Sequence, residues 1–268
     1  MDLLLYIDTD PLAEARYRVA VELVRVCGGH IECVQITSPV PLMSSEPFGS
    51  ADILAGKAVL AQRHKDTLRA AMETRLGPSG ISWSYRQLDG DPGRVLAEQV
   101  RLVDLVLLNA IRLPSVLNGS ALSAGEAVSR LAVPVMAVPA GEGVFNAGGP
   151  ALIAWDGSAQ CGHAIRGSLE LLKAAPTIYI VTIGREKTDA QAERAREYLA
   201  HHGLQAQVIA LPDVGQPISA ALLEAARTYQ ASYLVMGAYG HSRARELLLG
   251  GVTREVLANS PVPVVMAH

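Results

Sequence analysis

The stretch LIAWDGS, residues 152–158, is a short apolar run that stops at an aspartate and turns at a glycine. A run so brief and so continuously apolar reads as a buried strand, and Ser158 after it as the N-cap of a helix. The same device stands near the start of the chain, where LLYIDTD (4–10) also ends its apolar run in an aspartate, so that Asp8 matches Asp156. Two further pairs follow in the same order: DLVLLNA (104–110) with SYLVMGA (232–238), and LAVPVMAVP (131–139) with SPVPVVMAH (260–268). Partners lie roughly 128 to 148 residues apart, and agreement in order across separate segments marks an internal repeat. Between the copies AGEGVFNAGGP (140–150) is glycine-rich and aperiodic, as a linker is. The chain therefore divides into a domain over 1–139, a linker over 140–150 and a domain over 151–268.

Within each copy, apolar runs alternate with helical patterns. The second copy predicts strands at 151–155, 177–183, 205–211, 232–236 and 262–267, with helices at about 159–174, 188–202, 215–230 and 250–259. The first predicts strands at about 2–8, 31–37, 80–87, 104–109 and 133–138, and adds a Pro/Ser-rich loop at 38–50 and a long helix at about 51–76. Strands that are apolar throughout expect cover on both faces, and strand–helix alternation implies right-handed crossovers. The expected class is α/β, as two tandem doubly wound five-stranded parallel-sheet domains related by a pseudo-two-fold axis.

Composition narrows the function. Half of the 268 residues are apolar, which suits a globular chain, and a net charge of −3 with 4% aromatics argues against nucleic-acid binding. Cys27, Cys33 and Cys161 form no CxxC pair, so they fit a reducing compartment better than a disulfide framework or a zinc site. The first residues, MDLLLYIDTD, lack the basic start of a signal peptide, and no apolar run approaches a membrane span. The expectation is a cytoplasmic protein with no membrane or metal partner.

The stretch MGAYGHSRARELLLGGVTREVL (236–257) holds Gly237, Gly240, Gly250 and Gly251 between the fourth strand and the last helix of the second copy. A strand of a parallel sheet ends at the crevice where ligands bind. There Gly237 would let a nucleoside approach the backbone, and Gly240 would aim amides inward as an anion nest. Gly250 and Gly251 open a helix whose N-terminal amides suit phosphate, and Thr253 adds a hydroxyl. The alternative is a glycine-punctuated crossover with no ligand. The loop lacks the Gly-Lys-Ser/Thr of a Walker A motif, and it follows the fourth strand rather than the first.

Gly237-x2-Gly240-x9-Gly250, with IAWDGS at the first strand and VPVVMA at the last, resembles the nucleotide-binding pattern of the universal stress protein family across 151–268. The first half is similar to a diverged second copy, as in tandem members. The resemblance implies ATP, alone or with Mg2+, as the cofactor. Asp156, the backbone of Ala154, and Ile183 would surround adenosine. Met236, Gly237 and Gly240 would lie by ribose and α-phosphate, and Gly250, Gly251, Val252 and Thr253 by the outer phosphates. The family usually has Ser or Thr after the third glycine, where this chain has Gly251. In the first half Asn109, about Arg112 and about Ala121 stand at the glycine positions, which implies a degenerate, nucleotide-free partner. The resemblance also implies that the closing strands VPVMAV and VPVVMA pair the halves inside one chain, with a homodimer left open.

No residues suggest catalysis. Cys161 and His163 are two apart on a helix and diverge, and nothing resembles a hydrolase Gly-x-Ser-x-Gly or a related pyrophosphatase loop. His241, Arg243 and Arg254 either reach phosphates or are ordinary surface residues. His201 and His202 suit a helix C-terminus. The expectation is a non-enzymatic, ATP-binding stress-response module acting on an unidentified protein partner, with slow hydrolysis at most. A nucleotide-free scaffold is the alternative.

Overall fold

The structure, a computed structural model, describes residues 1–38, 51–115, 119–141, 145–184, 190–238 and 250–268. The first half runs β1 (Asp2–Ile7), α1 (Ala13–Cys27), β2 (His30–Thr37), α2 (Ala51–Leu76), β3 (Ser82–Asp89), α3 (Pro92–Gln99) and β4 (Leu105–Asn109). A hairpin of β5 (Leu113–Ser115) and β6 (Gly119–Ala121) follows, then α4 (Ala124–Ala127) and β7 (Val135–Val138). The second half runs β8 (Ala151–Ala154), α5 (Ala159–Gly167), α6 (Leu169–Leu172), β9 (Ile178–Ile183), α7 (Ala190–His201) and β10 (Ala206–Leu211). It closes with α8 (Ile218–Thr228), β11 (Tyr233–Gly237), α9 (Gly251–Asn259) and β12 (Val264–Ala267).

Ten strands form one sheet in the order β10-β9-β8-β11-β12-β7-β4-β1-β2-β3. Sequence alone led to two five-stranded sheets; they are fused. Each half is parallel and has its switch point between its first and fourth strands, β1/β4 and β8/β11. The halves join where β12 runs antiparallel to β7, with Val265 opposite Met136. Left apart, β7 and β12 would each present a bare apolar edge, and pairing them satisfies both rows of backbone groups.

Both faces are covered, which is why the strands are apolar throughout. One layer holds Leu3, Leu5, Leu107, Ile153, Val235 and Val265 under α1, α2, α5, α6 and α7. The other holds Leu4, Val106, Val135, Leu234 and Val264 under α3, α4, α8 and α9. Each layer draws residues from both halves, so the core continues through the seam. Full burial of such side chains contributes about 1.5–3 kcal/mol apiece. The seam is also tight in the helical layer, since a Cβ at Gly167 of α5 would fall 2.1 Å from Cγ of Pro134 in the first half. No helix among the described residues is long and apolar enough to cross a membrane.

Candidate functional site

Because the strands of each half are parallel, their C-terminal ends share one rim. Register places Met236 of β11 beside Ala154 of β8, and Ala154 beside Val181 of β9. The chain then leaves β8 through a tight turn. Oδ1 of Asp156 accepts the N–H of Ser158 at 2.9 Å, and Gly157 takes φ 78°. Ser158 Oγ accepts the N–H of Cys161 at 3.1 Å and so caps α5. Ala154, Asp156 and Ile183 are half-buried along this rim. The Met236 side chain is buried in the layer beneath α8 and α9, so only its backbone is near the rim.

Gly237 has a reason of its own. A Cβ there would meet the backbone N of Cys161 at 2.7 Å and Cβ of Gln160 at 3.0 Å. The first turn of α5 occupies the space that a missing side chain was expected to clear for a nucleoside. Gly237 is thus demanded by helix–strand packing, with or without a ligand.

The glycines at the start of α9 behave differently. Gly250 is the N-cap at φ −53° and ψ 142°, and no side chain caps the helix among the described residues. The amide of Arg254 bonds to Gly250 O at 3.0 Å. The amides of Gly251, Val252 and Thr253 come before that bond and have no acceptor in the helix. Around both glycines, a Cβ would meet no described atom within 4 Å. Val252 is half-buried and Thr253 buried. A Gly-capped helix N-terminus with no side-chain cap among the described residues suits a phosphate-bearing ligand. Gly240, His241 and Arg243 lie outside the described residues.

The corresponding rim of the first half is filled from within. Arg16 of α1, 1% exposed, reaches to the ends of β1 and β4. Its Nη1 and Nη2 donate to Asp10 at 2.9 and 2.7 Å, its Nε donates to Tyr6 O at 3.2 Å, and Nη1 also meets Asn109 Oδ1. Asn109 Nδ2 donates to Asp10 at 3.0 Å. Asn109 thus sits where Gly237 sits, and the guanidinium lies across the switch point. Asp8 is fully buried and accepts from Tyr6 Oη at 3.2 Å and from the Thr9 amide at 2.7 Å. Burial pushes the Asp10 carboxyl up, but hydrogen bonds and charge from Arg16 outweigh it and hold the group below the ordinary carboxylate value.

The last helix of this half is capped as well. Spacing placed Ala121 opposite Gly250, but the N-cap of α4 is Ser123, two residues further on, because β5 and β6 rebuild the loop as a hairpin. Glu126 receives both the Ser123 N–H (3.1 Å) and its hydroxyl (2.8 Å). Arg112, set opposite Gly240 by spacing, pairs with the same Glu126 at 3.0 Å.

Cys161 and His163 do not form a nucleophile–base pair. Burial, with the Asp156 charge adding to it, pushes the Cys161 thiol up to about 12, and its Sγ donates to Ala154 O. His163 turns instead to the His268 carbonyl at 3.1 Å. No cluster of His, Cys, Asp and Glu among the described residues could hold a metal ion.

A sequence profile described as the universal stress protein family matches residues 149–268. Residues 149–268 are a universal stress protein domain. Universal stress protein Slr1230 of Synechocystis sp. is 35% identical over 125 residues, in a match covering 42% of this chain and 40% of that protein's length. The match thus spans less than half of the curated relative. A solved universal stress protein from Archaeoglobus fulgidus superposes over 99% of this chain and 95% of its own, with TM-score 0.73 and 16% identity. A functionally unknown protein from Pseudomonas aeruginosa PAO1 covers 98% of this chain and 91% of its own, with TM-score 0.57 and 17% identity. These structures extend the fold of the universal stress protein domain, the adenine nucleotide α-hydrolase-like α/β fold, across the first half as well.

Proposed function

We propose that the chain is a tandem universal stress protein, with domains at 1–139 and 151–268, whose second domain binds ATP and acts as a nucleotide-responsive regulatory module. The observation that carries this reading is the contrast between the two rims. In the first half the switch point holds an internal guanidinium and the last helix is capped by Ser123 and Glu126. At the second, the helix is Gly-capped and no side chain among the described residues caps its first amides. Ala154, Asp156 and Ile183 would take the adenosine, the Gly237 and Gly240 backbone the ribose and α-phosphate, and Gly250 to Thr253 the outer phosphates. The chemistry needs no catalytic residue: bound nucleotide would be the signal, and a protein partner would read that state. A cytoplasmic location suits such a role.

Titration calorimetry of nucleotide-stripped protein with Mg-ATP tests it. One site per chain is expected. Gly250→Val fits the backbone and meets no described atom, so it should keep the fold while shielding the amides and abolishing the heat. Two sites per chain, or undiminished binding by the variant, would overturn the assignment.

The packing of Gly237 against α5 favours a second reading, a nucleotide-free scaffold, because that glycine is explained without any ligand. Absence of heat at millimolar ATP in the native chain would select it.

A further inference from the structure

A separate cavity of about 370 Å³ opens between α5 and α7, on the opposite face of the sheet from Ile183. Its walls are apolar and aromatic: Trp155, Ile165, Ala195 and Tyr198. Its rim carries Arg166 and Arg194, and neither pairs with an acid among the described residues. Arg166 lies back over its own helix, its Nη1 within 3.6 Å of where a Cβ of Gly162 would be, and Gly162 also lines the space. No aspartate or glutamate is among the described lining residues.

The layer behind this wall holds two unpaired buried polar atoms. Trp155 Nε1 is inaccessible and makes no hydrogen bond, and the Thr182 hydroxyl, in a side chain 1% exposed, makes none either. The two residues are neighbours: the Trp155 amide donates to Val181 O at 2.9 Å. By strand alternation Thr182 faces the same helical layer as Ile178 and Ile180, the layer that α5 and α7 cover. Both atoms are sealed from solvent, so the cavity offers an occupant the Trp155 ring and the two guanidiniums rather than these groups.

We infer that this cleft binds a small organic anion with a flat apolar body and a carboxylate or phosphate terminus. The walls match the body in volume and character. The donors match the charge: two guanidiniums, which engage such groups in bidentate fashion, with no carboxylate among the described lining residues. The ligand is distinct from the nucleotide proposed above, because the cavity lies beneath the opposite helical layer from α9.

The chain has two tryptophans, so Trp83→Phe leaves Trp155 as the sole indole reporter. In that background benzoate and phenyl phosphate are titrated, with benzyl alcohol as the neutral equivalent, and Trp155 emission is followed. A saturable change is expected with at least one anion, and its preference for carboxylate or phosphate separates the two termini. The alcohol should bind at least about tenfold more weakly. The double variant Arg166→Gln, Arg194→Gln alters exposed side chains and should keep the circular dichroism spectrum while weakening the anion about tenfold. Binding should persist in Gly250→Val and at saturating ATP. No saturable change at tens of millimolar, equal binding of the alcohol, indifference to the arginine pair, or displacement by ATP would each overturn the inference. Displacement by ATP would also leave nucleotide binding itself intact.

Discussion

Arg16 and Asp10 meet in a two-pronged ion pair, at 2.9 and 2.7 Å, with both side chains at most 1% exposed. The pair occupies the switch point of the first half, and Asn109 braces both partners. An ion pair this buried is stable only while both members are present. Arg16→Met leaves a buried carboxylate uncompensated and should lower unfolding stability by about 3–5 kcal/mol. Replacing Arg16 and Asp10 together with apolar residues should recover most of that loss. Denaturant titration of the single and double variants checks it, and additive losses would show that the two side chains act independently.

The same pair sets an acid limit. The folded-state pKa of Asp10 is lowered, so its contribution is complete above the unfolded value of about 3.9 and disappears as pH falls through the folded one. Stability measured below about pH 4 should therefore fall less steeply in Asp10→Asn, which is weaker at neutral pH, than in the native chain.

Gly237→Ala places a methyl 2.7 Å from a backbone nitrogen of α5, which must shift. A loss of about 1–3 kcal/mol is expected even without nucleotide. A variant as stable as the parent would show that α5 yields freely there.

Gly167→Ala drives a methyl into the ring of Pro134 across the seam. It should lower the melting temperature and speed proteolysis in the stretch 140–150, while leaving single-half secondary structure intact. Unchanged melting and proteolysis would mean that the strand pairing alone holds the halves.

Thiol labelling gives a check on burial. Cys33 and Cys161 are buried, with thiols pushed up to about 12, and Cys27 is half-buried. In native protein at pH 8 at most one thiol, Cys27, should react quickly with an aromatic disulfide, and all three after denaturation.

Most strands and helices were legible because a sheet covered on both faces demands unbroken apolar runs, and the paired motifs fixed their order. The expected long helix at about 51–76 is α2, Ala51–Leu76. Joining of the halves at the closing strands was foreseen from family resemblance, but the antiparallel sense of β7 and β12 was not, since direction there depends on how two complete halves dock. The cap at Ser123 was placed two residues early because residue counting cannot see a hairpin inserted ahead of it. Arg16 escaped notice, although a signal existed. It stands on the apolar stripe of α1 with Val19, Ala20 and Leu23, and a charge on a core stripe requires a buried partner. Trp155 and Thr182 gave no sign, because an orphaned donor exists only once its neighbours are in place.

The antiparallel seam has one further consequence. It turns the strands of one half head to tail against those of the other, so their C-terminal ends emerge at opposite poles of the molecule. One pole is sealed by an internal cation, and the other is where the glycine-capped helix begins. The two rims are thus held apart by the full height of the sheet, and neither can reach across to the other.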